Sequence, residues 1–332
     1  MHSPEIFPAL DDETSLQLNT DGELRHLLTL KGFGRGMLTE LLDEAEQFVS
    51  RPGRKAIRSR SLAGRTVANL FFEPSTRTRA SFDLAGKRLG ADVLNLDVNT
   101  SSRKKGESIL DMIYTLQAMH VDVMVIRDAS AGVPAFIARN VDQHVSILNA
   151  GEADVSHPTQ GLLDLLTIRQ RFGKFEDLTV AIVGDIAHSR VARSAAQGLQ
   201  TLGVGELRLI SPPSLAANSN EMPYAKNYDN LALGLRGANV VMALRIQRER
   251  IADLDGIPDG DEYYRHFGVT ADRLRVAAPD VIVMHPGPMN RGIEIESALA
   301  DSPVSVITQQ VRNGVAVRMA VLERVSRIMA SN

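Results

Sequence analysis

The chain contains no cysteine. That excludes disulfides, thiolate nucleophiles and cysteine-ligated zinc or iron–sulfur sites, and it fits a reducing compartment. No apolar run approaches the roughly 18 residues that a membrane-spanning helix needs. The start, Met1-His2-Ser3-Pro4-Glu5, has neither a basic segment nor an apolar one, so it does not read as a signal peptide. A soluble, cytoplasmic protein is therefore expected. Positive charge is not in excess either: the net charge is −3, so no bulk basic surface recruits nucleic acid. No Walker A run is present, which excludes a P-loop ATPase. The segment Val183-Gly184-Asp185-Ile186-Ala187-His188-Ser189-Arg190 lies where a dinucleotide turn would sit. It lacks the Gly-x-Gly-x-x-Gly spacing, and Asp185 would set a carboxylate against a pyrophosphate, so NAD is not expected. There is no internal repeat.

What is present is a balance of 44% hydrophobic and 23% charged residues over 332 positions, enough for two globular domains of about 150 residues each. The organising stretch is Phe71-Phe72-Glu73-Pro74-Ser75-Thr76-Arg77-Thr78-Arg79. It follows the apolar run Thr66-Val67-Ala68-Asn69-Leu70, which reads as a buried strand. It precedes a helical pattern with Ala80, Leu84, Ala85 and Leu89 on one face and Gly90 as the stop. A strand-to-helix turn presents unpaired N–H groups and the positive end of the helix dipole. Ser75, Thr76 and Thr78 add hydroxyls there, and Arg77 and Arg79 add guanidiniums. That is more donor capacity than a helix cap needs, and it points to phosphate.

Residues 1–22, with Pro4, Pro8 and the acidic Asp11-Asp12-Glu13, read as an extension that is disordered or ordered only against a partner. Helical patterning is expected from Glu23, through Leu24, Leu27, Leu28 and Leu30, and again over 35–49. After the organising turn, strands at 92–96, 121–127 and 145–148 alternate with helices at 107–120 and 133–139. A polar, basic loop containing Ser101 and Lys105 lies between two of these elements. His157-Pro158-Thr159-Gln160 opens a further helix, with His157 and Gln160 on one side and proline in the first turn. Read by itself, His157 is a helix-entry residue bonded to backbone. A second alternating series starts at Leu178. Its strands end at Gly184-Asp185, at Arg245-Ile246-Gln247 and at His285-Pro286-Gly287-Pro288, and Arg190 stands in the first turn of a helix. A long helix is expected over 306–329, with Val311, Val315, Met319 and Leu322 on its apolar face.

Strands alternating with helices mean βαβ units. The expected class is α/β: two doubly wound lobes with mostly parallel sheets and an active-site cleft between them. Ligands in such sheets sit beyond the carboxyl ends of the strands, where Ser75–Thr78 and Arg127 both lie. The expected domains are 23–155 completed by 306–332, and 156–305.

Several stretches together resemble the transcarbamoylases, and the aspartate carbamoyltransferase catalytic chains in particular. These are Ser75-Thr76-Arg77-Thr78-Arg79, the loop with Ser101 and Lys104-Lys105-Gly106-Glu107, Arg127, His157-Pro158-Thr159-Gln160, Gly184-Asp185 with Arg190, Arg245-x-Gln247, and His285-Pro286-Gly287-Pro288. The order and spacing agree from about residue 24 onward. Ornithine carbamoyltransferases share the first turn and the His-Pro-x-Gln pair but are expected to carry a His-Cys-Leu-Pro turn, which a cysteine-free chain cannot have.

The resemblance implies transfer of the carbamoyl group of carbamoyl phosphate to L-aspartate, in de novo pyrimidine synthesis, with no metal or organic cofactor. It implies that Ser75, Thr76, Arg77 and Thr78 hold phosphate. Thr78, Arg127 and His157 polarise the carbamoyl oxygen. Gln160 and the backbone around Pro286, Gly287 and Pro288 hold the carbamoyl NH2. Arg190 takes the α-carboxylate, and Arg245 with Gln247 the side-chain carboxylate. Ser101 and Lys105 reach a neighbouring subunit's site, so the active unit is a homotrimer, and the N-terminal extension suggests a dihydroorotase-like partner chain. Two departures stand out: Gly287 and Arg103 replace the leucine and glycine of some members. A non-catalytic binder of phosphorylated small molecules and an ornithine acceptor are the competing readings.

Overall fold

The computed structural model describes residues 13–96, 108–251 and 256–330. The chain divides into two compact units: residues 1–162 with 312–332, and residues 163–311.

In the first unit the order is α1 (Glu13–Gln17), α2 (Arg35–Gln47), β1 (Thr66–Phe71), α3 (Thr76–Arg88), β2 (Asp92–Leu96), α4 (Ile109–Ala118), β3 (Val123–Asp128), α5 (Val133–Asn140) and β4 (Ser146–Glu152). All four strands are parallel, in the order β2-β1-β3-β4. The β1, β3 and β4 strands are buried along their length but for the partly exposed Thr66, as in a sheet covered on both faces. Chain direction across the sheet reverses around β1, which has β2 on one side and β3 on the other. A ligand crevice is expected beyond the carboxyl ends of β1 and β3.

In the second unit the elements are β5 (Thr179–Val183), α7 (Arg190–Thr201), β6 (Glu206–Ile210), β7 (Lys226–Tyr228), α8 (Leu231–Leu235), β8 (Val240–Ala243), α9 (Gly260–Phe267), β9 (Ile282–Met284) and α10 (Ser297–Ala300). Its parallel sheet runs β7-β6-β5-β8-β9, with the reversal around β5. Two longer helices, α6 (Pro158–Phe172) and α11 (Ile307–Ser326), each begin in one unit and end in the other.

Several expectations are overturned. The leucines from Leu24 to Leu30 do not form a helix. Leu27 pairs in parallel with Leu148, its N–H donating to Ile147 O and its carbonyl accepting from Asn149 N–H. The segment is extended along β4, and the sheet edge supplies the hydrogen bonds that a helix would have supplied. The extension is ordered from Glu13: the buried Gln17 accepts through Oε1 from Leu28 N–H and Thr29 N–H, and Leu16 packs on the first core. Residues 1–12 lie outside the described residues.

On α3 the buried face is Thr78, Phe82, Ala85 and Gly86, with Leu89 beyond it, while Ala80 is exposed and Leu84 is 44% exposed. The reason is Phe82. It is fully buried beneath the Arg318 guanidinium of α11, which stands 5.0 Å from the ring centroid, and its larger apolar area turns the helix toward it. Val311 of α11 is exposed as well, and Met319 and Leu322 carry that helix's core contact. The short α8, α9 and β7 were not anticipated. Among the described residues no helix is long and apolar enough to cross a membrane.

Candidate active site

In the first unit, β1 delivers Phe71 to a turn and α3 starts at Thr76. Ser75 occupies the N-cap position in an extended conformation, yet its hydroxyl makes no capping bond. An ordinary serine cap would bond to an N–H two or three residues on. The hydroxyl and the first N–H groups of α3 are thus directed to something other than each other. Thr76 and Arg77 are exposed, and Thr78 is buried. Arg79 does not join this cluster: its guanidinium stacks 5.3 Å above the Phe71 ring.

Arg127 lies near the end of β3, where the register with β4 shifts between Ile126 and Asp128. Such a bulge re-aims a side chain, and it recurs next to functional sites. The Arg127 carbonyl accepts from Phe72 N–H and Glu73 N–H. Its guanidinium donates to Ala150 O (3.0 Å) and to Glu73 Oε1 (2.6 Å). So the strand end that leads to Ser75 is bound at backbone and side chain to the arginine. His157 and Gln160 are buried at the start of α6, and the His157 carbonyl accepts from Gln160 N–H and Gly161 N–H. His157 is therefore a helix-entry residue, with an imidazole that is also buried. These groups, the Arg77 and Arg127 guanidiniums with hydroxyl, imidazole and amide donors, suit a phosphate and a carbonyl oxygen that gains negative charge.

In the second unit the corresponding place is beyond β5 and β8. Gly184 has φ of +141°, and a Cβ there would stand 2.5 Å from Leu244 O. Only glycine lets the ends of these strands come so close. Asp185 follows, fully buried. Its Oδ2 accepts from Gln247 N–H (2.9 Å), and its Oδ1 accepts from His188 N–H (3.1 Å) and lies 2.9 Å from His188 Nδ1. Arg250 donates to His188 O. One carboxylate thereby joins the loop after β5 to the loop after β8. Arg245 Nη2 donates to Gln247 Oε1 (3.3 Å), so these two side chains face one direction. Arg190 is buried in the first turn of α7, which Ser189 caps by accepting from Ala192 N–H. Pro286, Gly287 and Pro288 form the turn after β9. Among the described residues no group of three or more potential ligands could hold a metal ion.

Residues 25–170 match the family model described as aspartate/ornithine carbamoyltransferase, carbamoyl-P binding domain. Residues 176–325 match the Asp/Orn binding domain of the same family. The chain belongs to the aspartate/ornithine carbamoyltransferase family. Solved carbamoyltransferases resemble it over nearly their whole length. The aspartate transcarbamoylase of Trypanosoma cruzi, in complex with carbamoyl aspartate and phosphate, is 30% identical, with 91% of this chain and 96% of that chain covered and a TM-score of 0.80. The same enzyme in complex with N-(phosphonacetyl)-L-aspartic acid is 29% identical, with 93% and 98% covered and a TM-score of 0.81. The ornithine carbamoyltransferase of Thermus thermophilus is 26% identical, with 91% and 98% covered and a TM-score of 0.79.

Within this carbamoyltransferase, Ser75, Thr76, Arg77, Thr78, Arg127, His157 and Gln160 all fall in the first unit. Arg190, Arg245, Gln247, Pro286, Gly287 and Pro288 fall in the second. Ser101 and Lys105 lie outside the described residues. Sequence reasoning passed over Glu73, and it read Asp185 only as a charge against phosphate. Both acidic residues stand two positions past a strand end, and that placement is the signal that could have found them.

Proposed function

We propose that this carbamoyltransferase moves the carbamoyl group of carbamoyl phosphate onto the amino group of L-aspartate in de novo pyrimidine synthesis. The observation that carries the choice of acceptor is the Arg245–Gln247 pair in the same unit as the buried Arg190. Two guanidiniums suit two carboxylates, and a planar fork binds a carboxylate bidentately. Ornithine would bring an ammonium group to the same pair. The complexes of the Trypanosoma cruzi enzyme with carbamoyl aspartate and with carbamoyl phosphate and aspartate support the same reading.

Ser75, Thr76, Arg77 and Thr78 hold the phosphate. Arg127, His157 and Thr78 donate to the carbamoyl oxygen, and Gln160 with the Pro286–Pro288 turn takes the NH2. The amine lone pair attacks the carbonyl carbon and a tetrahedral intermediate forms. The bond to the phosphate oxygen then breaks, and phosphate leaves with the amine proton. Each donor that bonds the developing oxyanion contributes about 3 kcal/mol to the barrier reduction. No step calls for a metal or an organic cofactor.

Ser101 and Lys105 are proposed to complete a neighbour's site in a homotrimer. Leu84, Leu94, Tyr114 and Met119, all more than a third exposed in the first unit, suit burial against another copy. A dihydroorotase-like chain is proposed as a further partner, and cytoplasm as the location.

The test is carbamoyl transfer by the purified protein with L-aspartate or L-ornithine as acceptor. Turnover with aspartate alone, abolished in Arg77→Ala and in Arg245→Ala, is the expected result. Turnover with ornithine overturns the acceptor assignment, and silence with both favours the non-catalytic binder.

A further inference from the structure

The second unit carries a cavity for which the proposed reaction has no use. It lies wholly within that unit, between the loop after β6 (212–214), the segment 256–258 and α9, and its volume is about 540 Å³. Small-molecule pockets run from roughly 300 to 1,000 Å³ and are mostly apolar, with a few polar groups. The lining follows that pattern. Pro212, Pro213, Ile257, Pro258 and Phe267 supply an apolar wall, and the Phe267 ring stacks on Tyr263 with 5.7 Å between centroids. Glu262 and His266 are four positions apart on α9, so they share one side of the helix, and both are exposed. Ser214, exposed as well, adds a hydroxyl from the opposite element.

Charge and one buried hydroxyl define what the cavity would take. Among the described residues no lysine or arginine lines it, and Glu262 brings a carboxylate. A phosphate or carboxylate ligand would find no counter-charge there, whereas an ammonium group would find a partner. Tyr263 is fully buried, and its hydroxyl has no hydrogen-bond partner among the described residues. Burial, and then the charges of Glu294 and Asp185, push its pKa well above the usual phenol value, so the hydroxyl keeps its proton. A buried donor left unpaired is a cost that native interiors rarely carry, and this one belongs to a residue of the cavity wall.

We propose that this cavity is a binding site for a small aromatic cation. The ring lies against the proline and phenylalanine wall, an oxygen on the ring accepts from the Tyr263 hydroxyl, and an ammonium group pairs with Glu262. The site does not depend on the transferase reading, but its walls are joined to the acceptor loops. Leu215 O, next to Ser214, accepts from Ile186 N–H (3.1 Å) and Ala187 N–H (3.0 Å), the two residues after Asp185. Arg248, next to Gln247, donates to Pro258 O (2.7 Å). A ligand between these walls therefore acts on both loops, and under the transferase reading its occupancy shifts the KM for aspartate.

The probe is tyramine, titrated into the full-length protein without substrates and followed by NMR. Tyrosol and 4-hydroxyphenylacetate have nearly the same shape with a neutral and an anionic end. Tyramine is expected to bind about fivefold more tightly than tyrosol, as suits a pair with an exposed carboxylate, and more tightly still than the anion. Glu262→Gln erases the difference between tyramine and tyrosol. Tyr263→Phe weakens tyramine about fivefold but leaves 2-phenylethylamine, which lacks the ring oxygen, unchanged. Ser214→Phe fills the cavity and removes binding of every probe. Equal affinity for the ammonium and carboxylate probes, or undiminished tyramine binding in Ser214→Phe, overturns the site. If Tyr263→Phe does not fold, the two exposed positions, Glu262 and Ser214, decide. Saturating tyramine is expected to shift the aspartate KM about fivefold, and an unchanged KM overturns the coupling. Absence of turnover before tyramine is added is a failure of the transferase reading, and the binding series then still decides the site.

Discussion

Replacing Asp185 by alanine should disconnect the acceptor side of the site without touching any group proposed to meet substrate. The carboxylate is fully buried and receives the Gln247 N–H at 2.9 Å and the His188 N–H at 3.1 Å. Alanine leaves both donors without an acceptor. A buried donor so orphaned costs about 1–3 kcal/mol. If about 2 kcal/mol of this falls on the orientation of Gln247 and its partner Arg245, the KM for aspartate rises roughly thirtyfold. A competing effect has the opposite sign, because removing a negative charge close to a site for a dianion should by itself tighten aspartate. A rise in KM therefore shows that geometry outweighs charge. Asp185→Asn separates the two. Its amide oxygen can stay on the Gln247 N–H while its NH2 faces His188 Nδ1, so the charge is lost and most of the geometry is kept. The expected aspartate KM is at or below the wild-type value for Asn and far above it for Ala, measured at saturating carbamoyl phosphate. An Ala variant that folds and keeps its aspartate KM within about twofold of wild type refutes the reasoning.

Two further outcomes concern stability. His26 is fully buried, its Nδ1 accepts from Ile147 N–H, and burial followed by the charge of Arg25 pushes its pKa down to about 3. The unfolded chain protonates this histidine near its ordinary value while the folded chain does not. Stability therefore falls as pH drops from about 6.5 toward 3, with a loss of about 2 kcal/mol by pH 5. His26→Asn keeps an acceptor for Ile147 and removes the titration, so urea unfolding of wild type and variant should diverge by that amount between pH 7 and pH 5. Parallel curves would mean that the ring protonates in place. Gly184→Ala sets a Cβ against Leu244 O at a φ that alanine rarely adopts, and about 2–3 kcal/mol of stability should be lost, with a visibly lower thermal midpoint. An unchanged midpoint would show that β5 and β8 part easily.

Much of the fold could be read because local and global signals agree in it. The run 66–71 is largely apolar and is followed shortly by Pro74, so both the strand and the turn to α3 are marked. The same holds for 179–183 and its glycine. What misled was spacing without context. Leu24, Leu27, Leu28 and Leu30 recur at helical intervals, but each is buried because the segment follows a sheet edge, and nothing local records that the sheet is there. The face of α3 was misplaced because Phe82 outweighs Leu84 only once Arg318, distant in sequence, covers it. In the candidate site, the residues proposed to donate to ligand are named from residue type and position at strand ends. The residues that hold those donors are not. Glu73 and Asp185 each act through a hydrogen bond to a residue chosen by the fold, and the register shift at Arg127 leaves no mark in composition.

The first unit is built from both ends of the chain, and the second is inserted within it. In α11, Arg318 covers Phe82, and Arg324 pairs with Glu40 (2.6 Å) and Glu44 (3.2 Å) of α2. A chain emerging from the ribosome therefore makes the second unit's whole sequence before the first unit can finish its own core. The earlier segment has all four of its strands by then, but Phe82 stays uncovered until α11 is made, so the last turns of α11 complete the first unit's core.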